Sequence, residues 1–305
     1  MRNHSKYLFA AALLGLGLSS AGVSSSYAQS GRLDQIRARG EVTLGYRESS
    51  LPFSYLDDKQ QPIGYSMDIC HGIVAALRTH LARPDLRVRY VSVTSSTRIP
   101  LVANGTVDMV CGSATNNAPR QRQVSFAPTT FVTAARFVSL KTQQPDLQSL
   151  RGKTVTSTAG STPLAWLTKT NAEQDLGLRL LSSKDHADAF LAVETGRAAA
   201  FFMDDILLAG LVANSRQPDA WQIGSQAHTV EPYGIILPKD DPAYKQVADA
   251  AVAAMMGDGR LQVLYDKWFT QPIPPKGINL NLPISDALKR VFAQPTDSPD
   301  PAVYQ

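Results

Sequence analysis

The chain has 305 residues, 30 Lys+Arg against 26 Asp+Glu, a formal net charge of +4 and 44% hydrophobic residues. That length fits one large or two medium domains. So small a positive surplus, with no Lys/Arg block interleaved with aromatics, is too mild to imply nucleic acid, and no nucleic-acid partner is expected. The two cysteines and five histidines show no metal-ligand spacing, so no metal and no cofactor is expected.

The N-terminus reads as an export signal. Arg2 and Lys6 precede an apolar run over 8–18, and Ser26-Tyr27-Ala28 is a small-x-small cleavage site before Gln29. The run is too short and wrongly flanked for a transmembrane helix. Gly15, Gly17 and Gly22 lie in this discarded segment and follow no strand, so they carry no dinucleotide reading. Cleavage leaves 277 residues (305 minus 28) and a net charge of +2 (4 minus 2, with Arg2 and Lys6 gone). No cysteine lies near the cleavage site, which argues against a lipid anchor. No later stretch is apolar enough to span a bilayer. A soluble, extracytoplasmic product is expected.

Strand and helix patterns then alternate, which predicts an α/β fold with mainly parallel strands. Residues 41–46 form the first strand. Residues 67–81 follow as a helix with Ile69, Ile73, Val74, Leu77 and Leu81 on one face, stopped before Pro84. A strand at 86–93 leads to a short helix at 98–104, capped by Ser95 or Ser96 and ended by Gly105. Residues 107–111 are a buried strand. Cys70 on the apolar helical face and Cys111 at the strand end are expected to pack as free thiols, with a disulfide as the alternative.

A second α/β unit follows, with strands at 137–140 and 154–157. Ala159-Gly160-Ser161-Thr162 leads into a helix at 163–170 with Pro163 in its first turn. Asp185 caps a helix at 186–195, and a buried strand over 198–203 ends at Asp204 and Asp205, before a helix at 206–212. Late helices are expected at 243–256 and 261–268, then a Pro-rich tail with a last helix near 284–292. Residues 295–305 read as disordered. Trp166, Trp221 and Trp268 sit at apolar periodic positions and read as core. His71, His80 and His228 have no informative partners.

The segment TSSTRIPLVANGTVDMVCGSATNNAPR, residues 94–120, is the most informative. Arg98 stands at a helix start beside small hydrogen-bonding residues at the carboxyl end of a strand, a cradle for a carboxylate. Arg47, in GYRESS, again lies just past a strand, and two such arginines suggest a ligand with two acidic groups. GYRESSLPFSY, TSSTRIPL, NGTVDMVCGSATNN, MDDILLAG and DKWFTQPIPPKGINLN together resemble the periplasmic binding proteins of amino-acid ABC transporters, in particular their glutamate/aspartate-binding branch. The resemblance runs from about residue 33 to about residue 292.

The resemblance implies a two-lobed periplasmic binding protein fold of type II, with a ligand cleft and two crossover segments near 130–133 and 233–235. Lobe 1 would be 29–132 plus 235–275, lobe 2 133–234, and 276–305 a surface extension. Arg98 would hold the ligand α-carboxylate in a two-pronged pair, for which a planar guanidinium suits better than an ammonium. Ser95 (or Ser96), Ser113 and Thr115 would add hydrogen bonds. Arg47 would face the side-chain carboxylate, although on local grounds it could equally pair with Glu48. Gly160, Ser161 and Thr162 would present a helix N-terminus from the second lobe. Asp204, or Asp205, would receive the α-ammonium, where the plain alternative is a helix cap. His186, in SKDHADAF, would approach the ligand, with a pKa raised on binding and affinity that increases as pH falls.

The expected function is the periplasmic substrate-binding component of an ABC importer for L-glutamate or L-aspartate. It would be a monomer that docks on the permease membrane subunits and performs no covalent chemistry. Two rivals share the scaffold: a periplasmic dehydratase acting through a cleft acid or base, and the binding module of a sensor system. No GxSxG, metal site or close Ser-His-Asp grouping supports the first, and no fused sensor or transmembrane segment supports the second.

Overall fold

The computed structural model describes residues 31–305. The export segment and its cleavage site lie outside the described residues. Two five-stranded sheets organise the chain. The first runs, edge to edge, Arg87–Ser92, Glu41–Tyr46, Met109–Cys111, Ile236–Leu237, Ser125–Phe126. The second runs Arg179–Ser183, Thr154–Thr158, Ala200–Asp204, Ala135–Leu140, Trp221–Ile223. Between them, Phe131–Thr133 and Glu231–Tyr233 pair antiparallel as two crossover strands.

Each sheet is only half parallel. Glu41–Tyr46 is parallel to both its neighbours, and so is Thr154–Thr158. Ile236–Leu237 and Ala135–Leu140 run antiparallel to their neighbours. The reason is topological. These two strands come almost directly off the crossovers, whereas parallel neighbours need a helix-containing return. A periodicity argument sees strands but not the end from which each one enters.

The helices cover these sheets for the reasons their sequences give. Tyr65–His80 buries Met67, Ile69, Cys70, Ile73, Val74 and Leu77. It packs against Pro242–Gly257, which buries Tyr244, Ala248, Ala251, Val252, Met255 and Met256. Elements without a clear sequence signal are the helix Arg32–Arg39, the small sheet of Ser49–Ser50, Ser54–Leu56 and Pro62–Ile63, and the strands Arg179–Ser183 and Trp221–Ile223. Trp221 and Trp268 are buried, and Trp166 packs at a tilt against Phe202, ring centroids 5.0 Å apart.

Two expectations are corrected. Cys70 and Cys111 are not free thiols but a disulfide, with Cα atoms 6.1 Å apart. A buried helix face and a buried strand end look alike to either reading, and only their packing brings the sulfurs together. Closing a sequence separation of 41 corresponds to about 4 kcal/mol of unfolded-state entropy. Residues 295–305 are ordered rather than disordered. Thr129 N–H donates to the Thr296 carbonyl, and the buried Tyr304 hydroxyl lies 2.9 Å from Thr129 Oγ1. The Asn116 side-chain amide reaches the Asp297 carbonyl at 2.8 Å, and Lys245 pairs with Asp297 at 2.8 Å. The strap is polar in sequence, but its backbone is satisfied by the body of the protein.

Candidate ligand-binding site

Side chains from both sheets and from the crossover strands converge in one place. Arg47 follows the strand Glu41–Tyr46 and is completely buried. Gly112 makes room for it, since a Cβ there would sit 2.9 Å from Arg47 Cγ. Arg47 Nη2 lies 3.4 Å from Asp185 Oδ2 and 3.4 Å from His186 Nε2, while Nε and Nη1 have no partner. Burial pushes its pKa below the ordinary guanidinium value, and Asp185 works against that shift. Glu48 is not its ion-pair partner; that carboxylate accepts from Ser92 instead.

Arg98 opens the helix Arg98–Ala103 and is also buried. Neither Ser95 nor Ser96 caps this helix, correcting the sequence reading. Thr97 is the N-cap residue, and Thr94 and Thr97 close the turn through each other's hydroxyls. Ser95 is therefore left buried in the site, whereas Ser96 is exposed with its hydroxyl on Thr94. Arg98 Nη1 donates to the Ser113 carbonyl at 2.7 Å, and its Nε is unpartnered. With Nη1 committed to that carbonyl, the edge carrying Nε and Nη2 is left with the pair of parallel donors a carboxylate needs. Burial, then the charges of Arg120 and Arg47, hold its pKa well below the usual value. Ser113 Oγ is likewise buried without a partner.

The second sheet contributes the opposing side. Gly160 has φ +75°, and a Cβ there would lie 2.6 Å from Ser96 Cα, so the two lobes touch backbone to backbone at this point. Ser161 caps the helix Thr162–Glu173, accepting from Leu164 N–H at 3.1 Å, and its own hydroxyl and N–H both go to the Thr158 carbonyl. Its polar groups are committed to that turn. Thr162 Oγ1 donates to Glu231 at 2.7 Å and lies 3.2 Å from Thr115 Oγ1.

Asp204 ends the strand Ala200–Asp204 and does not cap the next helix with its side chain. Its Oδ2 accepts from the Tyr233 hydroxyl, and Oδ1 is buried without a partner. Burial, then the Glu231 charge, push its pKa well above the usual carboxylate range. Asp205, the other candidate, is committed to Arg136 at 2.9 Å and to Thr133.

His186 is buried at the start of the helix His186–Glu194, with Nδ1 2.8 Å from Thr158 Oγ1. Burial, then Arg47 and Arg98, hold its pKa well below the usual histidine value. With its charged form disfavoured, the imidazole meets Arg47 as a neutral partner. A ligand carboxylate would raise that depressed pKa, while burial and the two guanidiniums oppose the charged form, so little proton uptake at His186 is expected on binding. A ligand ammonium beside Asp204 favours the ionised carboxylate, so any linkage there weakens binding as pH falls. Glutamate affinity should thus not rise between about pH 8 and about pH 6. Calorimetric titration at both pH values checks this, and tighter binding at the lower pH would mean that the imidazole does charge.

Three site residues escaped the sequence reading. Arg120, buried, sends Nη1 to the Thr115 carbonyl at 2.8 Å and Nη2 to the Gly160 carbonyl at 3.1 Å. Glu231 and Tyr233, both buried, belong to a crossover strand. For Arg120 a signal existed: Asn117 caps the four-residue turn Ala118–Gln121 directly after the hydroxyl-rich loop. Glu231 and Tyr233 had none, since nothing in EPY announces a cleft. Together the groups suit a zwitterion, with unpartnered guanidinium donors on one side and an unpartnered carboxylate oxygen on the other. Among the described residues no group of His, Cys, Asp and Glu could hold a metal ion, and no helix is long and apolar enough to cross a membrane.

Comparison with known proteins agrees with this architecture. The family model for bacterial extracellular solute-binding proteins, family 3, matches residues 42–271. The L-glutamate/L-aspartate-binding protein of Pseudomonas aeruginosa is 48% identical, over 88% of this chain and 89% of that protein. The glutamate/aspartate import solute-binding protein of Escherichia coli is 43% identical, over 94% of this chain and 97% of that protein. Among solved structures, the solute receptor for L-cysteine of Neisseria gonorrhoeae superposes with a TM-score of 0.68 at 26% identity, covering 77% of this chain and 92% of that one. The P235GK mutant of ArgBP from T. maritima gives 0.69 at 24% identity, covering 77% and 98%, a likeness of fold alone. With its two lobes, its pair of crossover strands and this match along most of its length, the chain belongs to the bacterial extracellular solute-binding proteins, family 3.

Proposed function

We propose that the protein is the substrate-binding component of an ABC importer for L-glutamate and L-aspartate, acting as a monomer in the periplasm and delivering its ligand to the permease membrane subunits. The observation that carries the ligand class is the set of buried unpartnered groups on Arg47, Arg98, Ser113 and Asp204. Buried polar groups are normally satisfied, so donors and an acceptor left together imply a ligand that completes them. The relatives named for glutamate and aspartate support the same reading.

In this reading Arg98, with Ser95, Ser113 and Thr115, holds the α-carboxylate. Asp204 takes the α-ammonium, and Arg47, steadied by His186 and Asp185, faces the side-chain carboxylate. Gly160, Ser161 and Thr162 bring the second lobe against the first. The lobe boundaries proposed with it are 29–132 plus 235–275 and 133–234, with 276–305 as an extension. The division of strands between the two sheets supports them. No bond is made or broken. The closed state binds the ligand better, which is what drives closure.

The test is ligand-linked stability of the mature protein. Glutamate or aspartate at about 100 times its dissociation constant should add about 2.7 kcal/mol to the folded state, with lysine and leucine adding almost nothing. Equal stabilisation by leucine would overturn the acidic-ligand reading. Mass spectrometry of recovered ligand separates carrier from enzyme, because a dehydratase would return its substrate changed.

A further inference from the structure

We infer that Arg120 is the closure latch of the cleft, a positioning residue that holds the two lobes together without selecting the ligand side chain. Its guanidinium is buried, yet its hydrogen bonds go to neither nearby carboxylate. Nη1 takes the Thr115 carbonyl, in the loop after the strand Met109–Cys111, and Nη2 takes the Gly160 carbonyl, just before the helix Thr162–Glu173. One planar group therefore joins backbone atoms of the two sheets.

The local design fits that task. Gly160 reaches Ser96 so closely that no side chain fits between them, and its carbonyl is thereby turned to Arg120. Asn117 accepts the Arg120 backbone N–H at 3.0 Å and fixes the base of the side chain. Thr162, two residues past Gly160, is tied to Glu231 on the crossover strand, and Glu231 supplies the main charge attraction that offsets the burial cost of Arg120. Opening the cleft must release Gly160 from Arg120, because the two lie on different lobes. The bond to Thr115, within lobe 1, can persist. The two carbonyls are reached from two separate nitrogens of one planar fork, whereas a lysine ammonium would have to donate to both from a single atom.

The inference deepens the binding reading and rests on it for its ligand. The consequence is kinetic: encounter with the open cleft does not involve the latch, whereas escape must break it. Arg120→Lys should weaken L-glutamate and L-aspartate by the same factor, roughly tenfold to a hundredfold. The loss should lie in a faster dissociation rate, with the association rate unchanged. Gly160→Ala, which blocks the same approach from the other lobe, should raise the dissociation rate in the same way.

The experiment is stopped-flow fluorescence of the full mature protein with L-glutamate and with L-aspartate. It is paired with small-angle scattering with and without L-glutamate, on variants whose melting midpoint without ligand matches wild type. An unchanged dissociation rate in both variants overturns the latch, as does a loss that differs between the two ligands, which would indicate direct contact with the ligand side chain. Should wild type fail to bind either amino acid, the binding reading falls. The latch is then judged by scattering alone: it stands if Arg120→Lys expands the ligand-free protein relative to wild type and is overturned if the radii agree.

Discussion

Replacing Arg98 with alanine should cost about 2–5 kcal/mol of affinity for every amino acid the protein binds, on the order of thirtyfold to several-thousandfold. Three features set so large an effect. Arg98 is buried, one prong is already committed to the Ser113 carbonyl, and its Nε is left without a partner. The α-carboxylate is common to all amino acids, so the loss should not depend on the ligand side chain. Arg98→Lys should recover little, because an ammonium cannot hold the Ser113 carbonyl and form a two-pronged carboxylate pair at once. Titration of glutamate and glutamine into wild type and both variants measures this. A variant that kept glutamine affinity while losing glutamate would move Arg98 from the shared anchor to the side-chain subsite.

Most of the candidate site was legible in the sequence because its residues lie where strand ends and helix starts can be recognised, in motifs that carry the family resemblance. Arg47, Arg98 and Asp204 each follow or terminate a strand pattern, and each is buried in the structure with an unpartnered polar atom. Choosing within the pairs required coordinates. Ser95 and Ser96 differ only in which of them the Thr94–Thr97 turn leaves inside. Asp204 and Asp205 differ in that Arg136, remote in sequence, claims the second. Glu231 and Tyr233 were invisible for a related reason, and the capped turn that marks Arg120 does not show its partners. Their roles depend on carbonyls and carboxylates that approach only when the chain has crossed between sheets twice. The disulfide and the C-terminal strap belong to the same class. Cys70 and Cys111 are joined by helix-on-sheet packing, and residues 295–305 are held by Asn116, Thr129 and Lys245 rather than by any pattern of their own.

Selectivity should reside in Arg47, and the electrostatics of the site set the size of the effect. The fully buried or nearly buried charges of the site are Arg47, Arg98, Arg120, Asp204 and Glu231. Arg120 is offset by Glu231, its largest charge partner, which leaves two guanidiniums against Asp204. An acidic amino acid, with two carboxylates and one ammonium, completes the balance. Glutamine has almost the same shape but presents Arg47 with a neutral amide. Asp185, at 3.4 Å and partly exposed, relieves Arg47 only in part, and its Oδ1 also accepts from the Ala187 N–H as cap of the helix His186–Glu194. Leaving one member of a buried charge pair without its partner costs about 2–5 kcal/mol. The glutamine carbonyl still accepts hydrogen bonds and Asp185 remains, so the penalty should fall at the low end, about thirtyfold in affinity. Arg47→Ala removes the group that distinguishes the two ligands. It should weaken glutamate by a similar factor, leave glutamine nearly unchanged and bring the two affinities together. His186 then loses its guanidinium neighbour, so its pKa should rise toward the ordinary value, a shift readable by NMR titration that reports on the geometry independently of affinity. If Arg47→Ala preserved the glutamate-to-glutamine ratio while the imidazole shift appeared as expected, the guanidinium would be where the structure places it but would not read the side-chain carboxylate, and selectivity would have to come from the second lobe.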